Sequence, residues 1–355
     1  MYLSSMQQST AEFQMCFDMF VMLEPAFALW ILFSVINIFC ASFCIFVFQY
    51  FKFQRTDNQF LLLNLLCSEI LGSLITICLA VWHLSSVSAR TLEALSASQC
   101  YKYSGIQNVF IDCSSLFALL LGLDRLLAIL TPNWYKTKSQ WHVYSWACGV
   151  YAVESLIYIL SFFDDFDTSN EVPICLVRAA AGRYWTNFKT YYLTMINCLP
   201  IFFFVITYAV LKIQSKRQND RMGESNLTEI KNRLNDKVLK ALTFLTLWHL
   251  CTFTLSTLSN LILNQLPYRG TQYGPYFTLL FYTNGTACFL CYTVYVSKFK
   301  SSIKTLSMAV KNCTRINDQR LVSKISVVPS PTFKTSLKTS TGHQNAVSFN
   351  VTGHD

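Results

Sequence analysis

Residues 119–135 read LLLGLDRLLAILTPNWY. A leucine-rich run carries one adjacent acid–base pair, Asp124-Arg125, and then meets Pro132, Trp134 and Tyr135. Charged side chains are costly in hydrocarbon, so a pair at the end of such a run needs a reason to be there. Toward the N-terminus the apolar character builds from Phe110, while Tyr101, Lys102, Gln107 and Asn108 make a polar start. The pattern predicts a membrane-spanning helix buried among others, wetted at its beginning and ending near Arg125.

The rest of the chain is written the same way. Of 355 residues, 53% are hydrophobic and 13% charged, against about 25% charged in soluble domains. So little charge does not cover a soluble surface, and so much apolar content excludes a disordered chain. Seven apolar segments are each long enough to cross a core of about 30 Å as a helix: 25–50, 58–83, 101–130, 140–163, 188–213, 238–264 and 274–297. The expected fold is an all-α membrane protein, a seven-transmembrane helix bundle with an amphipathic C-terminal helix. Its parts are an extracellular N-terminus (1–24), the bundle (25–297), an interfacial helix (298–310) and a disordered tail (311–355). The interfacial segment KFKSSIKTLSMAV puts Phe299, Ile303 and Leu306 on one face and Lys298 and Lys304 on the other. The first 20 residues hold no Lys or Arg, so no cleavable leader is expected and the first helix serves as its own insertion signal.

Charge placement sets the orientation. Twenty-one of the 28 Lys and Arg fall in segments on the side of the C-terminus. By the positive-inside rule that side is cytoplasmic, with the N-terminus outside and the plasma membrane as the expected location. The formal charge of +9 is thus a topology signal and no footprint of nucleic acid. Ten of the 14 Cys sit inside apolar runs as small hydrophobes. Cys16, Cys100, Cys175 and Cys313 remain. Cys313, just past the interfacial segment, is equally readable as a palmitoylation site or a free thiol. No Gly-rich phosphate loop, H-E-x-x-H or Ser/His/Asp set is present, so no enzyme is expected.

The string Asp124, Arg125, Ala128, Ile129, Pro132, Tyr135 resembles the end of the third helix in rhodopsin-like G-protein-coupled receptors. Asn37, the run from Asn64 to Glu69, Trp146, and the Pro200-to-Tyr208 spacing resemble other marks of that family. The seventh helix keeps only Tyr292 of Asn-Pro-x-x-Tyr, with Cys288 at the Asn position, and the sixth lacks its Pro. Those losses, with the string Gly122 to Ile129, bring the sequence nearest to the nematode serpentine chemoreceptors of Srsx type.

The resemblance implies a receptor with a chemosensory role that couples an extracellular small-molecule or peptide ligand to a heterotrimeric G protein, with membrane lipids around it. It implies a disulfide between Cys100, 25 residues before Arg125, and Cys175. It assigns G-protein coupling to Asp124, Arg125, Pro132, Tyr135, Tyr208 and Tyr292. It also gathers Asn37, Ser114 and Asn284 around Glu69. A lone charge there costs at least about 2.5–3.5 kcal/mol on insertion scales. Either a sodium ion or a proton at Glu69, or plain hydrogen bonding, answers that cost. His83, Gln107, Asn108, Ile111, Asp112 and Trp248 are candidates for an outer ligand pocket. The amine-binding Asp of aminergic receptors falls at Gln107, which disfavours classical biogenic amines. No Lys lies in the seventh segment, so a retinal Schiff base is not expected. A transporter or ligand-gated channel is the competing reading. It would favour broken helices in paired positions, whereas Pro200 stands alone.

Overall fold

The computed structural model describes residues 2–51, 57–89, 95–139, 141–163, 171–172, 183–221, 244, 247–264, 276, 278–296, 299–309 and 311, with side chains from Met22 onward. The chain divides into two units, Met1–Lys304 and Thr305–Asp355. In the second, residues 305–309 and 311 are described, and all are helical.

In the first unit the helices are apolar on nearly every side, as expected of elements with lipid on one face and protein on the other. Five are long and apolar enough to span a membrane: Met22–Tyr50, Gln59–Ser86, Ala97–Leu130, Trp141–Phe163 and Asn187–Gln214. They match the first five expected segments within a few residues. The described parts of the sixth and seventh lie at 247–264 and 278–295. Large apolar side chains point outward, among them Phe39, Phe202 and Ile262, while Ser34, Asn37, Ser73, Thr76, Ser114 and Ser115 are buried. Polar side chains thus share the interior with an apolar core, while the exterior is apolar, unlike that of a soluble bundle.

The third span is central and packs on the second, fourth and fifth; the first packs on the second and the seventh. One buried cluster joins the first, second, third, fourth and seventh spans through Cys44, Val47, Leu66, Phe117, Val150 and Cys288, and ends on Phe299. Phe299 and Ile303 thus face the bundle while Lys300 and Lys304 are exposed, as the amphipathic pattern anticipates.

Three features differ from expectation. The first helix does not begin near 25 but runs from Tyr2 to Tyr50, through Pro25. At 49 residues it is about 70 Å long, well beyond the need of a bilayer. Met, Gln, Leu, Glu and Ala supply 12 of the 23 residues added before Pro25, and all favour helix. A short pair of strands, β1 (Leu95–Ser96) and β2 (Glu171–Val172), is antiparallel, with Leu95 opposite Val172. In the sixth span, residues Leu250–Thr254 form a π-helical turn. Such a turn holds one residue more than an α-turn and shifts the face of everything after it.

Candidate functional site

The third span starts at Ser96, whose side chain accepts a bond from the Gln99 N–H. It stops at Thr131, whose N–H and hydroxyl both donate to the Leu127 carbonyl at 2.9 Å. Pro132 then opens the short helix Pro132–Thr137 at its first position. A proline cannot continue the preceding helix but is preorganised to begin the next one. The resulting bend carries Tyr135 back to Asp124, where its hydroxyl lies 3.0 Å from both carboxylate oxygens. Lys138 follows, with Nζ 2.9 Å from Asp124 Oδ1 and 1% of its side chain exposed. Its ammonium also lies 3.9 Å from the Tyr135 ring centre and 5.7 Å from that of Trp146. Arg125 reaches only the second oxygen, Oδ2, at 3.3 Å, and is 37% exposed. The expected Asp124–Arg125 pair is therefore present, but Lys138 and Tyr135 hold the carboxylate more closely. In the sequence Lys138 reads only as a topology charge.

Behind Arg125 lies an internal cavity of about 130 Å³, lined in part by Leu121, Arg125, Phe204, Trp248, Asn284 and Tyr292. Arg125 Nε and Trp248 Nε1 are buried without a hydrogen-bond partner. Tyr292, which lines the cavity with Arg125, packs edge-on against Phe48 at 5.0 Å and tilted against Phe299 at 5.7 Å. Tyr208 is 39% exposed and does not line the cavity; Phe204, one turn before it, does. Trp248 also departs from expectation, lining this inner cavity with Arg125 instead of an outer pocket. Phe253 is the sixth-span ring that packs against Ile111 and Phe281. The π turn that carries Phe253 has no signature in the apolar pattern.

The fifth span is tied to the sixth. Pro200 has no N–H to give and its ring crowds the preceding turn. One turn earlier the Asn197 carbonyl receives His249 Nε2 at 3.1 Å and Thr254 Oγ1 at 3.2 Å. The bond Pro200 cannot make is the one to the Ile196 carbonyl, four residues back; the neighbouring Asn197 carbonyl ties the fifth span to the sixth.

At mid-bundle the four expected polar residues come together. Asn37 Nδ2 donates to Glu69 Oε2 at 2.8 Å and to Ser73 Oγ at 3.1 Å. Ser114 Oγ donates to Glu69 Oε1, and Asn284 Nδ2 donates to Ser114 Oγ at 3.1 Å. The Thr286 backbone N–H donates to Asn37 Oδ1 at 3.3 Å. A backbone donor has no alternative role, so it fixes which end of the Asn37 amide faces Glu69. Gly285 permits this approach: a Cβ there would lie 2.7 Å from Asn37 Oδ1. Both carboxylate oxygens are thus met by protein donors, and among the described residues no three His, Cys, Asp or Glu side chains gather to hold a metal.

In the half toward Cys100 the pocket candidates diverge. His83 stacks on Phe27 at 4.5 Å. Gln107 Nε2 donates to Thr76 Oγ1 at 2.8 Å, turning toward the second span. Asn108 is half-buried, and Ile111 joins Phe253. Asp112 faces the fifth span, where its Oδ2 receives the Lys189 ammonium. Lys189 also lies 3.9 Å from Glu154 Oε2, and Tyr192 donates to Glu154 Oε1. Lys189 and Tyr192 were not singled out by the sequence reading. The signal was there: two buried acids lacked partners, and a Lys sits just inside the fifth span.

Cys100 is fully buried and disulfide-bonded. Its partner sulphur lies outside the described residues, as do Cys175 and Cys313.

Apolar helices around a polar interior, with an acid–arginine pair closing the third, make this a multi-pass membrane protein of the seven-helix receptor class. Residues 61–306 match the family described as Serpentine type 7TM GPCR chemoreceptor Srsx, and the chain belongs to that family. That membership favours a receptor over a transporter or channel. A curated relative, neuropeptide receptor 22 of Caenorhabditis elegans, is 25% identical over 209 residues, which are 55% of this chain. The matched stretch covers 45% of the relative, less than half its length.

Proposed function

We propose that the chain is a chemosensory receptor of the plasma membrane, with its Cys100 end outside and its Asp124 end facing a cytoplasmic heterotrimeric G protein. The orientation follows from the Lys and Arg distribution. A ligand bound toward Cys100 shifts a two-state bundle, and it does so only by binding one state better than the other. Its role is signalling, not catalysis.

The observation that carries this reading is the setting of Arg125. It is held at one oxygen by a neighbour that prefers other partners, its Nε is unpaired, and it borders a cavity. A guanidinium keeps its charge in any setting, so a partner helix offering carbonyls is a better home for it. Arg125→Ala is expected to reach the surface at wild-type level and lose G-protein nucleotide exchange. Wild-type exchange by that variant overturns the receptor mechanism.

The pairing of Cys100 with Cys175 belongs to the same reading. Val172 is hydrogen-bonded opposite Leu95, which brings the chain near Cys175 to the start of the third span. For Glu69, the donor set favours a carboxyl held by protein alone. Asn37 presents an N–H and is pinned in that sense by Thr286, and Asn284 turns an N–H inward as well. A sodium ion needs oxygens facing it, so the residues do not fit one in this arrangement.

A further inference from the structure

Asp112, Glu154 and Lys189 come from the third, fourth and fifth spans and meet inside the bundle. Asp112 and Glu154 have 1% and 0% of their side chains exposed, and Lys189 13%. Counted as ionised, two acids and one base leave a net charge of −1. Among the described residues no other cation reaches either acid. The imbalance is localised: Glu154 Oε1 receives the Tyr192 hydroxyl, while the buried Oε2 accepts no hydrogen bond and has only the Lys189 ammonium at 3.9 Å. A buried charge is retained at a cost unless it is paired, and this cluster, with both acids ionised, is one positive charge short of balance, which a bound cation or a proton on Glu154 would supply.

We propose that the Asp112–Glu154–Lys189 cluster is the binding site for a ligand carrying one cationic group, an ammonium or a guanidinium. The inference rests on the receptor reading above for its consequence but not for its chemistry. Lys189 is the most exposed member of the cluster and stands between the two acids. It is already within ion-pair reach of Glu154, so a small side-chain rotation moves it there from Asp112. The arriving cation then takes Asp112 Oδ2. Two ion pairs replace one, both acids are satisfied, and the set is neutral. An anionic ligand does the opposite, drawing Lys189 away and leaving two buried carboxylates unpaired. The site differs from a single acid on the third span that meets an amine directly. Here the ligand exchanges with a resident ammonium, and in doing so it rewrites the link between the third and fifth spans.

The test uses the full-length chain in lipid nanodiscs, with thermal stability read against n-butylammonium, n-butylguanidinium, butyrate and pentan-1-ol. The two cations are expected to raise Tm saturably, and butyrate and pentanol are not. N-acetyl-arginine amide, run against n-butylguanidinium, separates a peptide-borne cation from a free one by which binds more tightly. Glu154→Gln keeps an acceptor for Tyr192 and neutralises the empty cluster. It should raise the Tm of the empty protein and weaken cation binding at least ten-fold. Lys189→Met should lower the empty Tm and enlarge the shift caused by cations. Stabilisation by butyrate, an equal shift from pentanol, no shift from either cation, or undiminished cation binding in Glu154→Gln overturns the proposal. Nucleotide exchange by Arg125→Ala is scored separately. Cation binding with unchanged exchange in that variant sinks the receptor reading and leaves the site standing.

Discussion

Lys138→Met should lower basal signalling, although it removes a contact from the carboxylate that restrains Arg125. Asp124 has two oxygens to share. Oδ1 is taken by Lys138 at 2.9 Å and Oδ2 by Arg125 at 3.3 Å, with the Tyr135 hydroxyl 3.0 Å from each. With 37% of its side chain exposed and a long contact, the Arg125 pair is worth about 0–1 kcal/mol. The Lys138 pair is buried on both sides. Cutting a buried pair on one side typically costs about 3–5 kcal/mol because a charge is left uncompensated. In the variant Arg125 is the remaining cation and Oδ1 has lost its ammonium, keeping only a share of the Tyr135 hydroxyl, so the guanidinium can engage both oxygens. A hydrogen bond to a charged group is worth about 1.5–3 kcal/mol, and about 1.4 kcal/mol is tenfold in an equilibrium. Basal exchange should fall at least tenfold. Methionine keeps the apolar stem against Tyr135 and Trp146, which limits the loss of packing. Asp124→Asn should act in the other direction and raise basal exchange by about fivefold or less, since only the weak Arg125 pair is released. The assay is nucleotide exchange on co-expressed G proteins, normalised to surface level. A rise in basal exchange for Lys138→Met, matching that of Asp124→Asn, would refute the competition between the two cations. It would mean that Asp124 restrains the short helix and not the arginine.

Cys100→Ser should reduce surface expression, and Cys175→Ser should reproduce it, because loss of a native disulfide typically costs about 2–5 kcal/mol; normal surface levels for Cys175→Ser would exclude that residue as the partner. Glu69→Gln should lower Tm in nanodiscs, since Asn37 Nδ2 and Ser114 both donate toward the carboxyl and an amide offers one oxygen; an unfilled buried donor costs about 1–3 kcal/mol. An unchanged Tm would show that the knot adjusts freely. Gly285→Ala should also destabilise, by about 1–3 kcal/mol for an overpacked contact, because its Cβ would meet Asn37 Oδ1 at 2.7 Å and the Ala41 Cβ at 3.0 Å. A wild-type Tm in that variant would show that the first and seventh spans separate readily.

What the sequence made legible is what depends on composition and on strict helical spacing. Apolar runs marked the spans, and the cost of Glu69 in hydrocarbon called for partners, which the family resemblance named as Asn37, Ser114 and Asn284. Lys138 and Lys189 escaped for a common reason. Each lies near the end of an apolar run, where Lys is usual and signals orientation. Only the fold shows that both turn inward onto acids. The register of the sixth span escaped for a different reason. A π turn rotates all later residues by about a hundred degrees relative to those before it. The resemblance gives Trp248 to the outer half; it precedes the turn and lines the inner cavity, while Phe253, carried by the turn, packs against Ile111 and Phe281. The helical stretch before Met22 was hidden by Pro25, which ends most helices but is accepted here.

The two lysines also place the buried acids of the third span in one scheme. Asp112 and Asp124 stand twelve residues apart on that helix, a rise of about 18 Å. Each is paired with an ammonium from a different element, the fifth span for Asp112 and the turn after the short helix for Asp124. Between them Ser114 carries the third span's link to Glu69, and through Glu69 to the first and second spans. A change at Lys189 acts on the fifth span above Pro200, where that helix is braced to the sixth by His249 and Thr254. Below that brace, Phe204 of the fifth span and Trp248 of the sixth face the cavity beside Arg125. That cavity gives both side chains room to move without displacing the packed core, and its two unpaired N–H groups give the resting arrangement little to lose. Coupling between distant sites needs an element with two arrangements that both sites bias. The segment from Lys189 through Pro200 to Phe204 is the place to look for that element: one end carries the proposed charge exchange and the other borders the cavity beside the arginine.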